Sequence, residues 1–224
     1  MQPSELTILY SDNHLLVVVK PGGVPIQADA SGDTDLLSLA KAWVKQEFAK
    51  PGAVFLGLVH RLDRPARGVV VFARTSKAAA RMSEQFRMRS CHKVYEAVVC
   101  GQPPESETEL CDWLKPGEGT TRLAVVGQGQ EARLRMRRLA SQGNQSVVEI
   151  VLLTGRKHQI RAQLAVRGWP ILGDLRYGAT AALPDRCIAL WAKSLAIDHP
   201  ISRERLTFVA PPPPGWPWAP CEPR

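Results

Sequence analysis

Short apolar blocks separated by turn-forming residues dominate the first hundred positions of the chain. The segment LTILYSD and residues 15–19 predict two strands joined by a polar turn. Apolar runs at 54–59 and 69–73 predict two more buried strands, and KVYEAVVCG predicts another with Tyr95 near its start. This part of the chain therefore predicts a sheet.

Three segments repeat their apolar residues every three or four positions, which is typical of amphipathic helices. The first covers residues 35–49 and the second covers residues 75–89, where Thr75 or Ser76 can cap the helix. The third covers residues 156–167. These helices interrupt the series of predicted strands at irregular intervals.

The second half of the chain predicts further strands. Residues 132–140 and 146–153 predict a hairpin, and the first of these strands alternates arginine with apolar residues. The segments CIALWAKSLAI and RLTFVA predict two last strands. Residues 101–130 are rich in proline, glycine and acidic residues and predict an irregular excursion.

Strands and helices follow one another without regular alternation, which predicts an α+β fold. No repeat or linker divides the chain, so we expect one domain over residues 1–210. Residues 211–224 include PPPPGWPWAP, which predicts an extended tail on the surface.

The composition excludes several classes of protein. The chain has 224 residues, 45% of them hydrophobic, but no run approaches the roughly 20 apolar residues of a membrane span. The N-terminus does not resemble a signal peptide, so a cytoplasmic location is expected. Five cysteines without a CxxC pair argue against disulfides and against a zinc site.

Positive charge is concentrated in two blocks. Residues 60–100 carry nine Lys or Arg against three Asp or Glu, and residues 131–167 carry eight against two. Arginine predominates in both, and its planar guanidinium suits phosphate. If the fold brings the blocks together, they form a surface for a polyanion such as a nucleic acid; the alternative is that they only increase solubility.

Three stretches carry candidate chemistry: HRLD at 60–63, KVYEAVV at 93–99 and LTGRKHQIRAQL at 153–164. Together with LLVVVKPGGVP and GWPILGDLRYG, they resemble the RluA-type pseudouridine synthases. The resemblance covers residues 6–210, with the motifs in the family's order. It implies an isomerase that converts uridine to its C-glycoside isomer in ribosomal or transfer RNA. It also implies a mainly antiparallel sheet flanked by helices, with a basic cleft.

The resemblance assigns roles to individual residues. It implies that Asp63 is the catalytic aspartate, that Tyr95 is the active-site tyrosine and that Arg161 pairs with the aspartate. Arg61 beside the aspartate is expected to occupy the space of the flipped nucleotide. Four further residues are predicted to contact RNA: Lys20, Arg67, Arg156 and His158. Without the resemblance, Asp63 would be taken for a surface acid paired with Arg64 or Arg67.

The chemistry of this isomerisation fits those residue types. The N1–C1′ bond breaks, the base rotates, and C5 bonds to the sugar, which requires a carboxylate near C1′ as nucleophile or as base. A cation keeps that carboxylate ionised, and a tyrosine can stack on uracil and accept the C5 proton. No redox step or external nucleotide is involved, so we expect no cofactor and no metal. RNA, presented as a stem-loop, is the expected partner, with no membrane contact and a monomeric protein.

Two departures from the family's pattern bear on the substrate. After HRLD the chain reads RPARG, where the family has a small hydroxyl pair before the glycine, and Gln163 stands where a histidine is expected. We also expect the protein to have no N-terminal S4-type RNA-binding domain of the kind that many relatives carry. Two alternatives remain: an inactive RNA-binding or ribosome-assembly protein of the same fold, and a small-molecule hydrolase using His60 and Asp63.

Overall fold

A computed structural model of the chain describes residues 2–218, so residues 219–224 of the predicted tail lie outside the described residues. The described residues form eleven strands, three α-helices and two short 3₁₀ helices, at Pro3–Glu5 and Leu175–Tyr177. The strands are β1 Thr7–Ser11, β2 Leu15–Lys20, β3 Gly57–Leu58, β4 Arg67–Ala73, β5 His92–Cys100, β6 Thr108–Pro116, β7 Thr121–Ala124, β8 Gln130–Gln142, β9 Gln145–Leu152, β10 Leu190–Asp198 and β11 Arg205–Val209. The helices are α1 Leu36–Glu47, α2 Ser76–Arg87 and α3 Gln159–Ala165. None of the helices in the described part is long and apolar enough to cross a membrane.

The chain divides into two compact units. The first contains Met1–His92 and Ala192–Pro211, and the second contains Lys93–Trp191 and Pro212–Arg224. Strand β10 starts in the second unit, and its residues from Ala192 onward belong to the first. The single domain predicted over residues 1–210 stays a prediction.

In the first unit, β2 lies between β1 and β4 and pairs antiparallel with both. The predicted apolar runs form its core, because Leu15–Val18 and Val69–Ala73 are buried on both faces. The predicted strand at 54–59 is reduced to β3, which pairs with β4. Phe55 is 52% exposed, so the segment lacks the buried run that a longer inner strand requires.

Helices α1 and α2 begin at the capping residues that the sequence offers. The Asp35 carboxylate accepts the Ser38 N–H at 3.0 Å, and the Thr75 hydroxyl accepts the Ala78 N–H at 3.1 Å. Each bond satisfies a backbone donor that the first helical turn leaves without an intrahelical partner. Both predicted helices are thereby confirmed.

The second unit contains an antiparallel sheet in the order β5-β9-β8-β6-β7. Strands β6 and β7 correct the prediction of an irregular segment at 101–130. In β6, Leu110 and Leu114 are buried while Glu109 and Cys111 face outward, which is the alternation of a half-buried strand. The outward carboxylate of Glu109 binds Arg133 and Arg135 of the neighbouring β8. Glu109, one of the acidic residues of this segment, therefore lies on the outward face of a strand.

Both units combine helices with mainly antiparallel strands, which confirms the predicted α+β class. Helix α3 is shorter than predicted, because residues 156–158 form a turn before it and it ends at Ala165. Six of its seven residues are buried. A helix buried on almost all sides holds its side chains in place, which matters for Arg161.

Candidate active site

The HRLD motif ends in a tight turn of the first unit. The carbonyl of Asp63 accepts the Ala66 N–H at 3.0 Å, and Arg64 and Pro65 form the turn between them. The Asp63 side chain is half-buried, and Ala66 is fully buried. A short turn with proline restricts the backbone that carries the candidate catalytic carboxylate.

The side chain of Lys20 stabilises this turn by hydrogen bonds to its backbone. Its side chain is completely buried at the end of β2, and Nζ donates to the carbonyl oxygens of Pro21 at 2.9 Å, Arg64 at 2.9 Å and Ala66 at 2.8 Å. Two of those carbonyls belong to the Asp63 turn. Lys20 was predicted to contact RNA, but a buried ammonium with these three acceptors acts on the loop backbone instead.

Gly68 brings the start of β4 close to its neighbour. It lies opposite Lys20 across the β2–β4 pair and has φ +119°, a conformation that other residues rarely adopt. A Cβ placed on it would lie 2.2 Å from the Ala192 carbonyl oxygen. The glycine after HRLD is therefore required by sterics as well as by backbone conformation.

The basic residues around Asp63 have different environments. Arg64 forms ion pairs with Asp29 and Asp33 on the surface of the first unit. Arg67 is half-buried at the start of β4. Arg61 is exposed and has no ion pair or side-chain hydrogen bond among the described residues. The exposed side chain of Arg61 can reach a ligand, and its predicted place in the space of the flipped nucleotide stays a prediction.

His60 is held in the fold of the first unit. Its Nε2 accepts the Val71 N–H at 3.0 Å, and its ring stacks on Phe86 with the centroids 4.6 Å apart. The bond from Val71 occupies the Nε2 lone pair that a general base would use. This geometry argues against the alternative of a hydrolase that uses His60 and Asp63.

Tyr95 lies in the second unit on β5. It is 8% exposed and stands opposite Ile150 of β9 in the antiparallel register. Burial on a strand that pairs with β9 restricts the movement of the ring. This is the rigid support that a stacking or proton-accepting phenol needs.

Arg161 is buried on α3 and forms a two-point ion pair with Asp174. Nε and Nη2 donate to the two carboxylate oxygens at 2.7 and 2.8 Å, and the two side chains are 4% and 1% exposed. The Tyr177 ring covers the guanidinium, with the centroid 4.9 Å from Cζ. The guanidinium is therefore held at one edge and on one face.

Tyr177 also connects His158 to strand β7. Its hydroxyl accepts the Thr121 N–H at 2.7 Å and lies 2.9 Å from Nδ1 of His158. His158 has φ +51° just before α3, so the turn is strained unless other contacts hold it. Burial raises the pKa of Tyr177, although nearby Arg161 acts in the opposite direction. The phenol consequently remains protonated at neutral pH.

Arg156 and Gln159 shape the turn before α3. The Gln159 side-chain oxygen accepts the Arg156 N–H at 3.0 Å and the Thr154 hydroxyl at 2.7 Å. The Arg156 side chain donates through Nε to the Glu131 carbonyl at 2.9 Å. No carboxylate in the described part pairs with Arg156, so its charge remains available to a ligand.

Gln163 stands where the family has a histidine, and its side chain makes contacts inside the second unit. It is fully buried, and its side-chain nitrogen donates to the Asp112 carboxylate at 2.6 Å and to the Ala132 carbonyl at 3.2 Å. These contacts join α3 to β6 and β8. The departure from the family's histidine therefore affects packing within the second unit.

The sequence analysis gave no role to Asp174 and Tyr177. Both lie in GWPILGDLRYG, which was quoted only as part of the resemblance. Their signal is an aspartate and a tyrosine three residues apart after a glycine, which is the spacing of side chains on one face of a 3₁₀ turn. The pattern could predict that they act together, but could not identify Arg161 as their partner.

The second basic block is largely neutralised within its own unit. Six arginines of this block bind carboxylates: Arg133, Arg135, Arg137, Arg138, Arg161 and Arg167. Hydrogen bonds from Arg133 and Arg135 lower the pKa of Glu109, so this partner stays ionised. Sequence charge therefore overstates how much of the block can attract RNA.

Asp63 belongs to the first unit, whereas Tyr95 and Arg161 belong to the second. The common site and the basic cleft predicted for them stay predictions. Within each unit, the candidate groups are attached to rigid elements: a braced turn, a buried strand and a buried helix.

Comparison with known sequences identifies the family of this chain. The sequence model of a family described as RNA pseudouridylate synthase matches residues 14–166. The dual-specificity RNA pseudouridine synthase RluA of Haemophilus influenzae is 36% identical over 214 residues, which cover 92% of both chains. The ribosomal large subunit pseudouridine synthase D of Pseudomonas aeruginosa is 31% identical over 97% of this chain and 71% of its own length.

Solved structures agree on the fold. Human RNA pseudouridylate synthase domain containing 4 has a TM-score of 0.78 at 24% identity and covers 94% of this chain and 90% of its own. Human RNA pseudouridylate synthase domain containing 1 has a TM-score of 0.73 at the same identity. Together with the family match over residues 14–166, this shows that the chain belongs to the RNA pseudouridylate synthase family of isomerases.

Proposed function

We propose that Asp63 is the catalytic carboxylate with which this chain isomerises specific uridines in RNA to pseudouridine. The observation that carries the proposal is the HRLD turn, whose backbone is held by the buried ammonium of Lys20 in a chain of this family. A carboxylate on a fixed turn can be kept at one distance from a bound sugar, which favours reaction over random encounter.

Asp63 acts at the sugar of the flipped nucleotide, either by attacking C1′ or by removing a proton beside it. The N1–C1′ bond breaks, uracil rotates, and a new bond forms between C5 and C1′. C5 loses its proton and N1 gains one, so the atoms and charges balance without an external reagent. The proton from C5 is accepted by the phenolic oxygen of Tyr95.

Arg161 and Arg61 have separate tasks in this proposal. Arg161 supplies the cation that keeps Asp63 ionised, because an opposite charge nearby stabilises the carboxylate. Arg61 is exposed and fills the place of the extruded nucleotide in the RNA. Extrusion costs a few kcal/mol of stacking and pairing, which protein contacts must offset.

Phosphate contacts come from cations that no carboxylate of the described residues neutralises. In the second unit these include Lys115, Arg122, Arg156, Lys157 and Arg176. Lys115 and Arg122 stand opposite each other on β6 and β7, and Arg176 binds the Gly119 carbonyl in the turn that joins these strands. We propose that this set, called the hairpin cations below, binds the RNA backbone beside the modified stem-loop.

The predicted contacts of Arg67 and His158 with RNA are kept as part of this proposal. A cytoplasmic location, a monomeric state and independence from metals and cofactors are also proposed. Ribosomal RNA is the first substrate to test, since a relative is named for the ribosomal large subunit, and transfer RNA is the second. The alternative is an inactive protein that binds RNA or assists ribosome assembly; it would bind the same RNA without changing it.

The test is an in vitro reaction with transcribed ribosomal and transfer RNA. The RNA is digested to nucleosides, and chromatography separates pseudouridine from uridine. We expect pseudouridine with the wild-type protein, equally in the presence of EDTA, and none with Asp63→Asn. RNA binding without product from any transcript or from total cellular RNA would favour the inactive alternative, and loss of activity in EDTA would contradict metal independence.

A further inference from the structure

Asp174 and Tyr177 surround the guanidinium of Arg161 in the second unit. We infer that Asp174 is a positioning residue for catalysis, which acts by holding Arg161 in one orientation with the help of Tyr177. This inference rests on the proposed function, because it concerns the arginine assigned to Asp63.

The geometry of the ion pair is directional. Asp174 binds Nε and Nη2, so both of its oxygens lie along one edge of the guanidinium. Two parallel bonds fix both the position and the plane of the group, which a single bond cannot do. The two bonds to Asp174 use Nε and Nη2, and we assign Nη1 to the reaction.

The backbone of the short 3₁₀ turn sets the spacing between Asp174 and Tyr177, two residues that contact the Arg161 guanidinium. Asp174 precedes the 3₁₀ turn Leu175–Tyr177, and its carbonyl accepts the Tyr177 N–H at 3.0 Å and the Ala179 N–H at 3.0 Å. Residues three apart in a 3₁₀ turn lie on one face. The carboxylate can therefore reach the edge of Arg161 while the ring of Tyr177 covers its face.

The position of the turn is restricted as well. Gly173 has φ +82°, and a Cβ on it would lie 2.5 Å from the Cys187 carbonyl oxygen. This close approach leaves little freedom for the backbone beside Asp174. Tyr177 is attached at its other end to the Thr121 N–H of β7. The arginine is thus held by a small rigid assembly rather than by one flexible side chain.

A purely structural ion pair is the competing explanation, and the same unit offers a matched control. Asp112 also forms a two-point pair, with Arg167 just after α3, at 2.9 and 3.1 Å. Asp112 has no role in the proposed reaction. A variant of Asp112 therefore measures what the loss of a comparable pair does to the fold alone.

The experiment compares the steady-state kinetics and thermal unfolding of Asp174→Asn, Asp174→Glu and Asp112→Asn on a transcript that wild type modifies. We expect kcat to fall about 10- to 100-fold in both Asp174 variants, since a misplacement of about 1 Å has effects of this size, while KM changes less than about threefold. Asp174→Glu keeps the charge but moves it by one methylene. It tests the inference even if Asp174→Asn does not fold. Asp112→Asn should keep the wild-type kcat.

A second readout does not depend on turnover. In NMR spectra of the free protein, the Arg161 Nε–H should exchange slowly in wild type and in Asp63→Asn, and quickly in Asp174→Asn. A folded Asp174→Glu variant with wild-type kcat, or equal losses of kcat in the Asp112 and Asp174 variants, would overturn the inference. An inactive wild-type protein would instead remove the proposed function and this inference together.

Discussion

At the scale of single residues, Lys20 shows how a local pattern can identify an important position and still misassign its role. A lysine before Pro-Gly at the end of a strand suggests a cation near the site. Whether its ammonium faces solvent or the loop depends on the path of HRLD, which starts forty residues later. Asp63 could be identified from its motif, whereas the partners of Lys20 and Arg161 required the tertiary structure.

Replacing Lys20 with methionine should damage the Asp63 turn without weakening the charge-dependent part of RNA binding. Three carbonyl oxygens would lose their donor, and a buried group without its partner costs about 1–3 kcal/mol. We expect a lower midpoint of thermal unfolding, a reduced kcat and an unchanged salt dependence of RNA affinity. A decrease of about one in the salt slope would instead indicate that the ammonium contacts phosphate.

At the scale of elements, the long apolar runs and the capped helices could be predicted because each carries its own periodicity. Strands β6 and β7 could not, because proline, glycine and acidic residues conceal a short alternation. Their register is completed by arginines of β8, about 25 residues further along the chain. These ion pairs join residues of two strands, so the sequence of either strand alone does not predict the pairing.

The junction between the HRLD turn and β4 gives a stability prediction. Gly68→Ala should lower the free energy of unfolding by about 3 kcal/mol or more, because it adds steric overlap with Ala192 to an unfavourable backbone conformation. Gly23→Ala is the matched control: Gly23 has φ +80° but no atom within 4 Å of its Cβ position. It should cost about 1–2 kcal/mol in chemical denaturation. Equal losses in the two variants would contradict the packing argument.

At the scale of the whole molecule, the net charge of +8 predicts attraction to RNA but not the surface responsible for it. Arginine-rich β8 is the most basic segment by sequence, yet Glu105, Glu109 and Glu149 bind its arginines. Two of the hairpin cations, Lys115 and Arg122, come from residues 101–130, where acidic residues outnumber basic ones. Only the fold shows which charges are paired, so the sequence could predict the class of ligand but not the contacting residues.

The hairpin cations can be separated from paired arginines by their effect on RNA binding. Lys115→Ala and Arg122→Ala should each weaken binding to all RNA sequences and reduce the salt slope by about one. Arg137→Ala removes the same charge from an ion pair with Glu149 and should leave the slope unchanged. Equal effects of the three variants, measured by titration at several salt concentrations, would mean that RNA responds only to net charge.

The central claim concerns Asp63 in a living cell. Pseudouridine can be mapped at single-nucleotide resolution in ribosomal and transfer RNA from cells with the gene, without it, and complemented with wild type or Asp63→Asn at equal protein levels. We predict at least one site that disappears on deletion, returns with wild type and does not return with Asp63→Asn. Restoration of that site by Asp63→Asn would contradict the assignment of Asp63 as the catalytic carboxylate.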